Sequence, residues 1–270
     1  MTTDRQDVVQ LTGGPSLAVR AATAPLRPFL LVHDIGADSR VWAGVAERLY
    51  AAGHQVTAVD LRGHGSSDSP ATGYDTDTCA DDLSALLDAL GFTGGRSPVV
   101  VGHGWGANVV MSLAARRDGV AGVCCLDGGW IRPAWQYGSF EEYWLACGPN
   151  QAQTSEAQTG EAQTGETRSQ DRTNAIRRSI VRSLFFGEPR AWFPLVGVPV
   201  VLCPVVPPDG VPDPEGRGRV ARTGVAEALS RLPRARVSWH YGEGDAIGTN
   251  PSRLVEDLLT LAADAEPRVD

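Results

Sequence analysis

Glycine stands at every second position of Gly102-His103-Gly104-Trp105-Gly106. The β-branched run 99–101 precedes this stretch, and Ala107, Val110, Met111 and Ala114 follow it at helical spacing. Strand, sharp turn and helix in that order put the middle residue of the turn on strained backbone with its side chain aimed into a cleft. From such a turn a nucleophile attacks. The flanking glycines let the strand and helix backbones nearly touch. Here the middle residue is Gly104, which has no side chain. The arrangement has the shape of a nucleophile site without its chemistry. Groups able to move a proton stand at the ends of other apolar runs: His33-Asp34, Asp127 and Asp209.

The elements that must carry these residues alternate. Residues 28–33 and 55–60 read as strands that are apolar without alternation, as strands covered on both faces are. Residues 16–22 read as an earlier strand, and 121–126, 198–203 and 235–241 as later ones. Between them, Ser39 opens a helix carrying Val41, Trp42, Val45 and Leu49, and 78–90 forms an amphipathic helix on Leu83, Leu86, Leu87 and Leu90. Helices at 220–232 and from Pro251 follow. This alternation predicts an α/β fold with a doubly wound, mostly parallel sheet. The core spans 1–129 and 195–270, and 130–194 is inserted as a lid. Within the lid, 151–170 repeats Ala-Gln-Thr from Ala152, Ala157 and Ala162, and this polar, low-complexity segment is expected to be disordered.

At 270 residues and 42 % hydrophobic, the chain suits one large domain. A net charge of −8 argues against a nucleic-acid partner. All 24 basic residues are Arg, which reads as coding bias. The five cysteines, Cys79, Cys124, Cys125, Cys147 and Cys203, show no C-x-x-C or Cys/His ligand spacing, so no disulfide framework and no metal are expected. Neither a secretory leader nor an apolar run of membrane-spanning length is visible, and a cytoplasmic protein is expected.

Three stretches resemble the α/β-hydrolase superfamily, and the likeness runs from about Ala18 to Leu261 outside the insertion. Leu-Leu-Val-His-Asp-Ile-Gly at 30–36 is similar to its oxyanion-loop strand, and 59–68 to its D-x-R-G-x-G-x-S segment. Residues 101–106 match its elbow, in the G-H-x-W-G form of epoxide hydrolases and haloalkane dehalogenases. The resemblance implies Asp or Ser at the elbow vertex, a histidine in the loop before Pro251, and an acid after the strand ending at Cys203 or at Leu126. Gly104 stands at the first position, and the loop holds no histidine, Gly244 being the aligned residue. Asp209 and Asp127 are the candidates for the acid. Where the family has His-Gly, this chain has His33-Asp34, a carboxylate beside an anion hole.

The expected function is binding of a small apolar metabolite and a cofactor-free, non-hydrolytic step of cyclisation, isomerisation or lyase type. Asp34, His33 and Asp127 are the candidate acid/base groups. Asp34, Ile35, His103, Gly104, Trp105, Trp130 and Trp135 are the candidate pocket. The alternatives are a non-catalytic binding protein, or a hydrolase whose carboxylate activates water.

Overall fold

The computed structural model describes residues 6–147, 163–208, 211, 213, 216–242 and 246–265. Strands are β1 (Gln6–Gln10), β2 (Ser16–Ala22), β3 (Leu26–Val32), β4 (His54–Val59), β5 (Val99–His103), β6 (Gly122–Leu126), β7 (Val200–Cys203), β8 (Val205–Val206), β9 (Ala235–Val237) and β10 (His240–Tyr241). Helices are α1 (Ala43–Ala51), α2 (Thr76–Ala89), α3 (Trp105–Arg116), α4 (Phe140–Cys147), α5 (Gln163–Phe186), α6 (Arg217–Arg231), α7 (Ala246–Thr249) and α8 (Pro251–Asp264).

Phe29 and Leu31 of β3 point to one face of the sheet, Leu30 and Val32 to the other, and all four are fully buried. On one side Trp42, Val45 and Leu49 pack with Leu254, Leu258 and Leu261 of α8. On the other, Leu83, Leu86 and Leu87 of α2 pack with Val109, Val110 and Leu113 of α3 and Val225 of α6. Two covered faces explain the unbroken apolar runs. The sheet order is β1-β2-β4-β3-β5-β6-β7-β9, antiparallel only at β1–β2 and β2–β4. The expected doubly wound, mostly parallel sheet is the architecture observed.

One expectation changes. The strand read at 235–241 is divided: β9 pairs with β7, and β10 with β8. Between β7 and β8 stands Pro204, which has no N–H to give a ladder; its carbonyl still accepts from His240 N at 3.0 Å. Within the segment 151–170, residues 163–170 are the first turns of α5. Once Ile176, Ile180, Val181 and Phe185 anchor that helix by packing, each further turn only adds hydrogen bonds, so a polar sequence suffices. Residues 151–162 lie outside the described residues.

Candidate active site

The vertex between β5 and α3 is Gly104, at φ +53° and ψ −116°. Its N–H donates to the Leu126 carbonyl at 2.8 Å. A Cβ at Gly102 would overlap the Gly106 carbonyl, and one at Gly106 the His33 carbonyl, so these two glycines answer to backbone approach. At Gly104 the neighbour is a side chain: a Cβ there would fall on the Asp34 carboxyl. Asp34 Oδ1 accepts the Trp105 N–H at 2.6 Å. That N–H is the first of α3, where orphan donors and the helix dipole favour an anion. One carboxylate thus takes both the volume of a vertex side chain and a donor that would otherwise face a developing oxyanion.

Asp34 is held from below by His33, which is fully buried. His33 Nε2 accepts the Leu61 N–H at 3.0 Å, so Nδ1 carries the proton and donates to the Asp34 carbonyl at 2.7 Å. Burial, reinforced by His64, lowers the His33 pKa to about 4. With both nitrogens committed to backbone, His33 positions the loop and is not the acid/base group expected from sequence. The His64 ring lies between the rings of His33 and Trp105, with centroids 5.0 and 5.7 Å away, and burial lowers its pKa.

The D-x-R-G-x-G-x-S segment supplies the frame. Asp60 Oδ1 accepts Ser39 N–H at 2.7 Å and Oδ2 accepts Ser66 N–H at 2.9 Å. Arg62 makes a two-pronged, buried pair with Asp82 of α2, at 2.5 and 2.6 Å. These bonds tie the loops after β3 and β4 to α2 and fix the height at which Asp34 meets the elbow.

Residues of the segment 130–194, expected to be a lid, pack beside the Asp34 loop. Ile35 packs against both the main core and the lid cluster of Phe140, Trp144, Val181 and Phe185. Burial raises the pKa of Tyr143 and of Cys147, and the Asp34 charge adds to both shifts. Arg177 Nη2 donates to the Cys147 carbonyl at 2.7 Å, and its Nη1 lies against Gly36. Sequence reasoning missed Tyr143, Cys147 and Arg177; the aromatic flanks of the lid were the only signal.

Other expected site residues are distributed differently. Asp127, at φ +49°, stands in a cleft of about 160 Å³ with Ile131, Gln136 and Arg217. Desolvation raises its pKa, opposed in part by nearby His103 and the Val205 N–H. The Trp105 ring is buried, and its contribution to the site is its N–H. Trp130 is fully buried and packs with Trp135 against Gly224 of α6. His240 turns away from the elbow and bonds Asp257 of α8. Asp209 and Gly244 lie outside the described residues.

A family profile described as alpha/beta hydrolase fold matches residues 27–175. A non-heme chloroperoxidase of Streptomyces lividans is 46 % identical over 66 residues, 24 % of this chain and 23 % of that protein. A soluble epoxide hydrolase of Corynebacterium sp. is 37 % identical over 101 residues, 37 % of this chain and 34 % of that protein. The chain thus spans about a quarter to a third of the length of these curated relatives. Among solved structures, an esterase from Exiguobacterium antarcticum superposes with a TM-score of 0.73 at 17 % identity, over 95 % of this chain and 98 % of that one. No helix among the described residues is long and apolar enough to cross a membrane.

Proposed function

The chain belongs to the α/β-hydrolase fold family, and from that premise we propose that it binds a small apolar metabolite over Asp34 and moves a proton on it without a covalent intermediate. The observation that carries this reading is the Asp34 carboxylate at the elbow vertex, bonded to Trp105 N–H at 2.6 Å. Attack from position 104 has no atom to proceed from. An acyl-transfer oxyanion would compete with a negative charge for its donor. Proton transfer needs neither. Trp105 N–H holds one Asp34 oxygen still, and the other accepts no hydrogen bond among the described residues, which leaves it able to exchange a proton. Tyr143, kept protonated by burial, by its Cys147 neighbour and by the Asp34 charge, is the candidate proton donor. Positioning plus one proton transfer supports isomerisation, cyclisation or elimination.

A second reading rests on Asp127. Its raised pKa beside His103 favours a hydrolase in which that carboxyl activates water. The two separate in one experiment. Wild type, Asp34→Asn and Asp127→Asn are assayed on p-nitrophenyl acetate, on styrene oxide, and for deuterium exchange at the α-carbon of cyclohexanone. The expected result is exchange by wild type that is lost in Asp34→Asn, with no ester or epoxide turnover above buffer. Ester or epoxide turnover lost in Asp127→Asn would overturn the proposal in favour of the second reading. No exchange and no turnover would leave binding without catalysis.

A further inference from the structure

Behind the last strands, away from the lid, four residues far apart in sequence meet. Cys203 ends β7, His240 opens β10, Asp257 lies on α8, and Cys124 belongs to β6. A donor atom from each of Cys203, His240 and Asp257 lies within 4.8 Å of the others. His240 Nε2 stands 3.0 Å from Asp257 Oδ2, and Cys124 Sγ 3.9 Å from Cys203 Sγ. Both cysteines are wholly buried, and His240 and Asp257 are 5 % and 7 % exposed. His240 Nδ1 is buried without a hydrogen-bond partner among the described residues.

We propose that Cys203, His240 and Asp257, completed by Cys124, form a binding site for a zinc ion. The spacings fit. Two thiolates about 2.3 Å from a tetrahedral zinc stand about 3.8 Å apart, and a nitrogen and an oxygen ligand about 2.0–2.1 Å away stand about 3.3 Å apart. The thiol pair is already at 3.9 Å, and the imidazole–carboxylate pair has only a few tenths of an ångström to open. Two sulfurs, an imidazole and one carboxylate form a soft set that selects zinc over magnesium or calcium. Binding breaks two S–H bonds and the Nε2–H bond that His240 directs at Asp257, forms two Zn–S bonds and one Zn–N bond, and passes the released protons to solvent or, for the imidazole proton, to Nδ1. Two thiolates, a carboxylate and Zn²⁺ leave an excess negative charge. Arg236 and Arg253, 3.6 and 3.9 Å from the Asp257 carboxylate, are placed to balance it. A groove of about 360 Å³ lined by Trp239, His240, Tyr241 and Arg253 opens onto the imidazole and gives an entry path. Bound there, zinc would join β6, β7, β10 and α8 at one point.

The test is zinc content of the full-length protein as purified, followed by Co²⁺ titration after chelation. A single equivalent of tightly bound zinc is expected. Co²⁺ should give a thiolate-to-cobalt charge-transfer band in the near ultraviolet and tetrahedral d–d bands in the visible. Cys203→Ser should leave at most about half of that band, from Cys124, and weaken binding about tenfold or more. Cys124→Ser should roughly halve the band, and Cys79→Ala, remote from the cluster, should leave it unchanged. Because Cys203→Ser could fail to fold, the wild-type spectrum alone is also decisive. Absence of both zinc and a charge-transfer band would reduce the cluster to a hydrogen-bonded Cys–His–Asp contact. A band undiminished in folded Cys203→Ser would equally overturn the site.

Discussion

A single methyl group at the elbow vertex tests whether Asp34 owns the space of a missing side chain. Gly104→Ala has two consequences that the geometry separates. The backbone at φ +53°, ψ −116° is sparsely allowed for a residue with a Cβ and costs about 1–3 kcal/mol. The new Cβ also overlaps the Asp34 carboxyl, a form of overpacking that costs roughly another 1–3 kcal/mol. Asp34→Gly removes the second term and leaves the first, while giving up the hydrogen bond from Trp105 N–H, roughly 1.5–3 kcal/mol for a charged acceptor. The double variant should therefore be more stable than the sum of the singles by about 1–3 kcal/mol. Urea unfolding of the four proteins measures this coupling, and thermal midpoints should move by about 2–4 °C per kcal/mol. Asp34→Asn, which keeps the volume, should relieve nothing. Additivity within about 0.5 kcal/mol would refute the claim that Asp34 fills the vertex.

Three further outcomes follow from the same geometry. His33 is held neutral down to about pH 4, whereas the unfolded ring titrates near 6.5, so the unfolded chain binds the extra proton between those values. The stability from His33 is complete above pH 6.5 and falls by about 3 kcal/mol as the pH drops to 4, a slope that urea midpoints should show and His33→Gln should flatten. Arg62→Met strands the buried Asp82 carboxylate and should cost about 3–5 kcal/mol in urea unfolding, with much of it recovered in Arg62→Met/Asp82→Leu; equal losses in the two would argue against a buried pair. Tyr143→Phe should slow cyclohexanone exchange about 10²-fold at unchanged stability, and an unchanged rate would remove Tyr143 from the proton path.

The parallel sheet and the elbow are legible in the sequence because both are local. Burial on two faces writes an apolar run such as 29–32, and close backbone approach writes Gly102 and Gly106. Strand β1 was not legible, since its Gln6–Gln10 is largely exposed and carries no apolar face, only a ladder to β2. The division at Trp239 depends on Pro204, a residue of another strand. The placement of Asp34 is tertiary in the same sense. His33-Asp34 reads as a loop dipeptide, and only the turn imposed by His33 on Leu61 brings the carboxyl to the Trp105 N–H. The grouping of Cys124, Cys203, His240 and Asp257 has no sequence spacing at all, because four separate elements supply it.

The sheet order also bears on how fast the chain finds its structure. In its hairpin, β1–β2, the edge strand β1 is largely exposed and the buried Leu17 and Val19 of β2 need the rest of the core to pack against, so the hairpin alone offers little hydrophobic gain as a nucleus. The pairings that bury the core join Phe29 to Val99, Val99 to Gly122, and Val123 to Val200, each across an intervening segment that must first be organised. Loop-closure entropy is therefore spent before burial repays it, the condition for slow folding. While β3 and β5 wait for one another, their Val- and Leu-rich edges are open to other chains. Refolding yield should accordingly fall with protein concentration long before native stability is in question.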